Sequence, residues 1–506
     1  MKDKVLFWFG ADFTQFCMSY YFQKNYDCEM YSIVDITNKP KFFFKNQKLI
    51  NFKKTWFLHD QYNKDHQKPD IDYLKYFEQK YDIDLWKLII NERIFYGFFN
   101  FHKFTTNEIL SIVEQICRFY EQVFSEIKPN FFITKLTAFH HLELFRKMCI
   151  YHGTKVLMLS VPKVPHKSLI SENDNRIDYV KDLNNITCEE KSFKDLEYDF
   201  EKYSTKKMLE ELWKKHSSSS SKNYLKPFME FLKSDNCNIM TNYNYYGRTK
   251  INVIKNMINI LLRKKYRESF MNRNFVHNPD LTIPYVYFAM SVILERGILI
   301  GAPYWTNQNE IIRHIVKSLP MGYRLLVKEH PIQSSREWRR ISEYKEIMNI
   351  PNVTMIHHSV SEKELIKNSS LVFSIAGSSA FEAVFFGKSS IVFADLIYSY
   401  LSSVSKVEVI EDLPKIIKKS LDTQIQSNDL GKFLKILSEN LIDFDHFKLF
   451  TDFSKQFYLS GGYIDSEINE NELKLFLDEH EDALQILTTA HIEKIKQHKK
   501  YTNHNS

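Results

Sequence analysis

The chain has 506 residues, 44% hydrophobic and 26% charged, the balance of a soluble globular protein, and it is too long for one core, so at least two domains are expected. Lys and Arg outnumber Asp and Glu by 69 to 62, a formal charge of +7; this permits attraction to anionic substrates or an anionic membrane surface and lacks the dense basic footprint of nucleic-acid binding. The six cysteines show no paired spacing, which points to free thiols in a reducing compartment, and no window approaches the roughly 20 apolar residues of a membrane span or the plan of a signal peptide; the expected location is the cytoplasm.

Residues 5–9 read as a buried first strand that stops at Gly10-Ala11-Asp12, and residues 31–35 as a second. Residues 107–127 carry Ile109, Ile112, Val113, Ile116, Tyr120 and Val123 at helical spacing. A strand over 129–134 follows, then a helix over 140–152 that Gly153 stops, then a strand over 155–160. Strands alternating with helices predict a parallel, doubly wound sheet.

From about 171 to 280 the chain turns polar and helical, with Ser217 to Ser221 as a flexible loop tip. Residues 251–267, with Lys250, Lys255, Arg263, Lys264, Lys265 and Arg267, form a basic amphipathic helix. Its plain reading is a connector with a solvated basic edge; the sharper one is a helix resting on anionic lipid headgroups. A second α/β unit opens with a strand over 284–290. It continues through a helix over 308–319, strands over 322–327 and 353–356, a helix over 361–368, and strands over 370–374 and 390–394. After about residue 425 the pattern is helical, and the polar, basic stretch from Lys494 is expected to be disordered. The expected domains are thus 1–170, a helical connector over 171–280, 281–425, and C-terminal helices with a tail over 426–506.

Two motifs in the second unit fall where strands stop. Lys328-Glu329-His330-Pro331 follows one strand, and Gly377-Ser378-Ser379 follows another and opens a helix through Phe381, Glu382 and Ala383. Ligands of open α/β sheets bind beyond the carboxyl ends of strands, and a small-residue turn at a helix start offers N–H groups to an anion. A phosphorylated ligand is the expectation. Pro331 drives His330 into an extended conformation, which aims its ring outward. Ser378 and Ser379 would bind phosphate or simply cap their helix, and Glu382 lies one turn further along the same edge. Lys328 would meet phosphate or pair with Glu329.

Two Rossmann-like units with a helical connector and C-terminal helices are the plan of GT-B glycosyltransferases. The runs 284–288, Asn307-Gln308, 317–323, Lys328-Glu329-His330-Pro331 and Gly377 to Ala383 with Gly387-Lys388 resemble the capsule polysaccharide synthesis family, which includes capsular Kdo transferases. The likeness is dense over about 284–395 and thinner around 91–96 and 128–134. One departure stands after Phe288, where the family often carries Pro-Leu-His and this chain has Ala289-Met290-Ser291.

The resemblance implies a glycosyltransferase that takes a nucleotide-sugar donor on the C-terminal domain, through Lys328, His330, Gly377, Ser378, Ser379 and Glu382, and a glycan or lipid-linked glycan acceptor on the N-terminal one. An inverting mechanism needs a base, for which Asp12 and Glu92 compete. Peripheral contact with an anionic membrane at the inner face is consistent with the charge and the basic helix; no nucleic-acid partner is expected. Neither His140-His141 nor His357-His358 has zinc-site spacing, and Asp70-Ile71-Asp72 and Asp82-Ile83-Asp84 sit in helical contexts, so no metal and no cofactor are expected. No P-loop or nucleophile elbow is present. A CMP-linked ulosonic acid such as Kdo or a sialic-acid relative is favoured as donor, because one phosphate needs one compact cradle. Arg324 lies within a strand and Lys388 in a turn, so neither supplies an evident second cation. The alternatives are a UDP- or GDP-hexose, a CDP-polyol phosphate of the teichoic-acid type, and a degenerate scaffold in capsule assembly.

Overall fold

The computed structural model describes residues 2–62, 68–96, 101–162, 164–180, 186–203, 222–234, 248–335 and 338–505; the serine run Ser217–Ser221 lies outside them. The chain forms two units, one of residues 1–174, 205–253 and 441–506, the other of 175–204 and 254–440. The stretch 171–280 is thus shared between them, and the last helices belong to the first.

In the first unit, β1 (Asp3–Phe9), β2 (Cys28–Val34), β3 (Lys54–Phe57), β4 (Phe131–Lys135), β5 (Lys155–Ser160) and β6 (Leu169–Ser171) make one sheet in the order β3-β2-β1-β4-β5-β6. Pairing is parallel except for β6, which returns antiparallel to β5. β1 shows why its sequence is an unbroken apolar run. Val5, Phe7 and Phe9 enter the core on one face and Leu6 and Trp8 the core on the other, as a central parallel strand covered on both sides requires. The helix Thr106–Glu126 covers one face and starts at a reciprocal Thr105–Glu108 capping box. The other face is covered by the helices Thr14–Asn25, His446–Phe457, Glu470–Glu479 and Glu481–Asn505.

The stretch after Lys494 is ordered, contrary to the sequence expectation: it finishes the helix Glu481–Asn505. Leu484, Leu487, Ile492 and Ile495 are buried in the core that Phe16 and Phe22 share, a stripe at helical spacing. Lys499 adds an ion pair to Asp3 at 2.6 Å. Polar composition hid a helix whose apolar residues are few but aligned.

In the second unit, β7 (Tyr285–Ala289), β8 (Arg324–Lys328), β9 (Val353–Ile356), β10 (Leu371–Ser374), β11 (Ser390–Val392) and β12 (Val404–Lys406) run wholly parallel in the order β12-β11-β10-β7-β8-β9. Counted from each unit's own first strand, both orders are 3-2-1-4-5-6, the Rossmann order. The fold class is therefore α/β with two Rossmann-like units. The switch points, where strand order reverses and ligands bind, lie between β1 and β4 and between β7 and β10.

Candidate functional site

At the second unit's switch point three loops gather, because β10, β7 and β8 are neighbours. The loop after β7 is tied on both sides. Ile293 N–H donates to Gln333 Oε1 at 3.0 Å, beyond β8, and Gly297 lies so near the loop after β10 that a Cβ there would stand 3.2 Å from Ala376 Cβ. The segment that opens with the family departure, Ala289-Met290-Ser291, thus runs between the His-Pro turn and the Gly-Ser-Ser turn.

Glu329 and Lys328 hold the first turn from below. Glu329 is fully buried and accepts from Arg339 Nε at 2.6 Å, Tyr344 Oη at 3.1 Å and the His330 N–H at 3.0 Å. Arg339 Nη2 also donates to the Ser291 carbonyl at 2.8 Å, which Gln308 Nε2 shares at 2.9 Å. A buried carboxylate with a guanidinium and a phenol on it is held firmly. Lys328, 3% exposed, donates to the Val360 carbonyl at 2.8 Å. His330 stands above them, half-buried. Its Nδ1 accepts the Ile332 N–H at 3.1 Å, so in the neutral ring Nε2 carries the proton. The turn Pro331–Ser335 that makes this bond presents His330 as a donor.

The second turn is shaped by Ser374, whose hydroxyl accepts the Gly377 N–H at 2.9 Å. A Cβ at residue 377 would lie 2.5 Å from that oxygen, so any larger residue must force the Ser374 hydroxyl aside. Tyr398 Oη donates to the Gly377 carbonyl. Ser378 precedes the helix Ser379–Phe385 without capping it by its side chain. Ser379 Oγ donates to Glu362 Oε1 at 2.6 Å, and Tyr287 Oη approaches the same oxygen at 3.4 Å. Glu382 sits half-buried in this helix near Tyr287 and Tyr398, whose hydroxyls burial pushes up from their ordinary range, with Glu382 and, at Tyr287, Glu362 adding to the rise.

At the first unit's switch point stand Asp12, after β1, and Lys135, the last residue of β4. Lys135 Nζ donates to Asp12 Oδ2 at 2.5 Å, and the Thr14 N–H donates to Oδ1 at 3.2 Å. Burial alone would raise the Asp12 carboxyl, but Lys135 and His446 outweigh it and hold it below its usual range. His446 lies 3.4 Å through Nδ1 from Thr14 Oγ1, and burial lowers its own affinity for a proton. Phe13 has φ 54°, a strained setting for an aromatic residue; stacking on Phe453 at 4.8 Å and packing on Phe44 at 5.0 Å hold it there.

Glu92 lies elsewhere in that unit, 4% exposed. It accepts the His140 N–H and Nδ1 at 2.7 Å each, and the Ile94 N–H at 3.0 Å. Against the raising effect of burial, His140 and these bonds hold its pKa at about 2. His141 Nε2 meets Asp35 Oδ2 at 2.9 Å, and His59 Nε2 lies 2.9 Å from Oδ1. His357 bonds Asn272 and Ser359 and stacks on His277 at 4.0 Å. Among the described residues no three His, Cys, Asp or Glu side chains converge as a metal site. Asp70 and Asp84 precede helices, and Asp82 ends one.

Sequence reasoning missed Arg339, Gln308, Gln333, Lys135 and His446. Lys135 had a signal, since a cation ending an apolar strand at the centre of a doubly wound sheet is a site position. Arg339 and His446 had none, because their partners are distant in sequence.

These arrangements define an α/β protein of two Rossmann-like units, each with charged or hydrogen-bonding side chains at its switch point. Residues 229–402 match the family model described as capsule polysaccharide biosynthesis protein. That segment contains both motifs of the second unit. Among solved structures it is similar to the β-Kdo 2,7-transferase of KpsC from Thermosulfurimonas dismutans, with 14% identity over 70% of this chain and 97% of that one and a TM-score of 0.29. The β-Kdo 2,4-transferase of the same organism's KpsC gives 11% identity over 62% and 85%, with a TM-score of 0.31. The UDP-GlcNAc 2-epimerase of Methanocaldococcus jannaschii, in complex with UDP-GlcNAc and UDP, gives 11% over 87% and 100%, with a TM-score of 0.26. A search of curated proteins finds no match.

Proposed function

We propose that this chain is a glycosyltransferase of capsule or surface-polysaccharide assembly, using a nucleotide-sugar donor bound at the second unit's switch point and a glycan acceptor carried on lipid. The carrying observation is the Nε2 proton that the Ile332 N–H assigns to His330, at a strand end within the capsule segment. That proton is directed to the donor's phosphate, stabilising the charge that develops on it as the bond to the sugar carbon breaks. The N–H groups around Ser378 and Ser379 cradle the phosphate, with Gly377 setting their turn, and Glu382 accepts from ribose hydroxyls. Asp12 is the carboxylate proposed to receive the acceptor hydroxyl's proton. The reaction needs no metal in this reading.

A CMP-linked ulosonic acid is the favoured donor. Lys328, the cation of the first motif, is buried and committed to the Val360 carbonyl, and Arg324 stands at the amino end of β8. Of the described residues, neither of these two cations of the first motif's strand therefore brings its charge to the cradle, which favours a single phosphate over a diphosphate. Thermal shifts with CMP, CDP, UDP, GDP and dTDP test this. A ligand at 100 times its Kd stabilises by about 2.7 kcal/mol; CMP is expected to give the largest shift. A shift with UDP or GDP and none with CMP would transfer the donor to a hexose. Release of CMP with phosphorus retained in the polymer would identify polyol-phosphate transfer instead.

A further inference from the structure

The helix Lys250–Asn274 turns its apolar residues away from the protein. Ile251, Ile258, Leu261, Leu262 and Tyr266 are 77%, 52%, 60%, 63% and 70% exposed, and Met271 is the helix's buried residue. At 3.6 residues per turn, Ile251, Lys255, Ile258, Leu262 and Lys265 fall along one outward line, with Leu261 and Tyr266 at its borders. The opposite side holds the helix down through Met271 and through Arg267 Nη1, which donates to the Trp338 carbonyl. The preceding helix, Lys222–Lys233, does the same: Leu225, Phe228, Met229 and Leu232, one face by their spacing, are all exposed. Lys250 Nζ donates to the Leu232 carbonyl at 2.5 Å and so joins the two helices end to end.

Such faces are covered in use, and charge chooses what covers this one. The helix Lys250–Asn274 carries seven Lys and Arg residues, Lys255, Lys264 and Lys265 among them, against the single acid Glu268. A second copy laid against it would oppose cation to cation. An anionic bilayer satisfies both features, since apolar side chains enter the acyl boundary while lysines reach the headgroups.

We propose that the outward face of Ile251–Tyr266 docks the protein on an anionic membrane surface. This deepens the reading of a lipid-carried acceptor and rests on it for its purpose, while the binding is measurable by itself. The test is co-sedimentation of the full chain with phosphatidylcholine vesicles containing or lacking about a third of phosphatidylglycerol, where each basic residue near the surface contributes. Wild type should pellet with the anionic vesicles alone and be released in about 1 M salt, where the Debye length is about 3 Å. Ile258→Ser with Leu262→Ser, and separately Lys255→Glu with Lys265→Glu, should each lower partitioning at least about tenfold. Both pairs should leave the melting temperature and donor turnover in vesicle-free solution unchanged, which separates this proposal from the transferase reading. Wild type that stays in the supernatant, or variants that pellet like it, would overturn the docking. So would a dimer in solution that the Ser variants abolish, since the face would then belong to a second copy.

Discussion

At the scale of single residues, the two sites make different demands on their side chains. His330 is half-buried at the edge of the turn and its ring is positioned by one backbone bond, so His330→Ala should still fold, with a modest loss in melting temperature, yet lose about two to four orders of magnitude in transfer rate. A folded variant with the wild-type rate would remove His330 from the mechanism. Asp12 and Glu92 separate by environment. Glu92 has both carboxylate oxygens engaged inside the protein, whereas Asp12 faces Lys135, whose side chain is 31% exposed. Asp12→Asn should therefore abolish transfer with little loss of fold, and Glu92→Gln should act chiefly on stability. The pH dependence follows from the sign of the shift. Glu92 titrates at about 2 in the folded chain against 4.5 when unperturbed, a depressed carboxylate. Its contribution, on the order of 2–3 kcal/mol, is complete above pH 4.5 and is lost as pH falls toward 2. Urea midpoints at pH 7 and about pH 3 should converge in Glu92→Gln relative to wild type; an unaltered difference would contradict the pairing with His140.

At the scale of elements, most apolar strands were legible, down to the short β9 and β11, and β3, β6 and β12 were not. β1, β5 and β7 appear in the sequence almost at their observed bounds, since a parallel strand buried on both faces is an unbroken apolar run. β6 and β12, three residues each, carry too little pattern to be seen. The Gly-Ser-Ser turn was legible as a strand-end turn and a candidate site position, but the cause of its glycine is a contact with Ser374 that no local rule supplies. Gly377→Ala should cost about 1–3 kcal/mol by forcing that oxygen aside and should weaken nucleotide shifts. Adding Ser374→Ala makes room and should recover part of the loss in the same melting and nucleotide-shift measurements; no recovery would mean that another contact fixes the turn. The polar composition of the C-terminal helix concealed its buried stripe. Truncation after residue 480 removes Leu484, Leu487, Ile492 and Ile495 from the core and should prevent soluble expression. Truncation after residue 496 loses the exposed Lys499–Asp3 pair and should cost about 1 kcal/mol, as denaturant midpoints would show.

At the scale of the whole molecule, one strand order occurs twice, and each occurrence has charged or hydrogen-bonding side chains at its switch point. Parallel, doubly wound sheets were implied by alternating strands and helices, and with them the candidate positions beyond the strand ends. What lay beyond the sequence was the set of partners that folding brings together, Arg339 under Glu329 and Lys135 beside Asp12, that decide which side chains are buried supports and which are presented. The same separation leaves Glu329 as a buried support beneath His330, the residue proposed to meet the donor. The central claim, glycosyl transfer from a nucleotide sugar, is met most directly by incubating the purified chain with CMP-linked ulosonic acids and UDP- and GDP-hexoses, with and without a glycan acceptor, and separating the products. The account predicts acceptor-dependent release of nucleotide, greatest for a CMP-linked donor, with a glycan longer by one sugar, both lost in His330→Ala. Failure to turn over any donor in the panel by a folded, nucleotide-stabilised protein would contradict it.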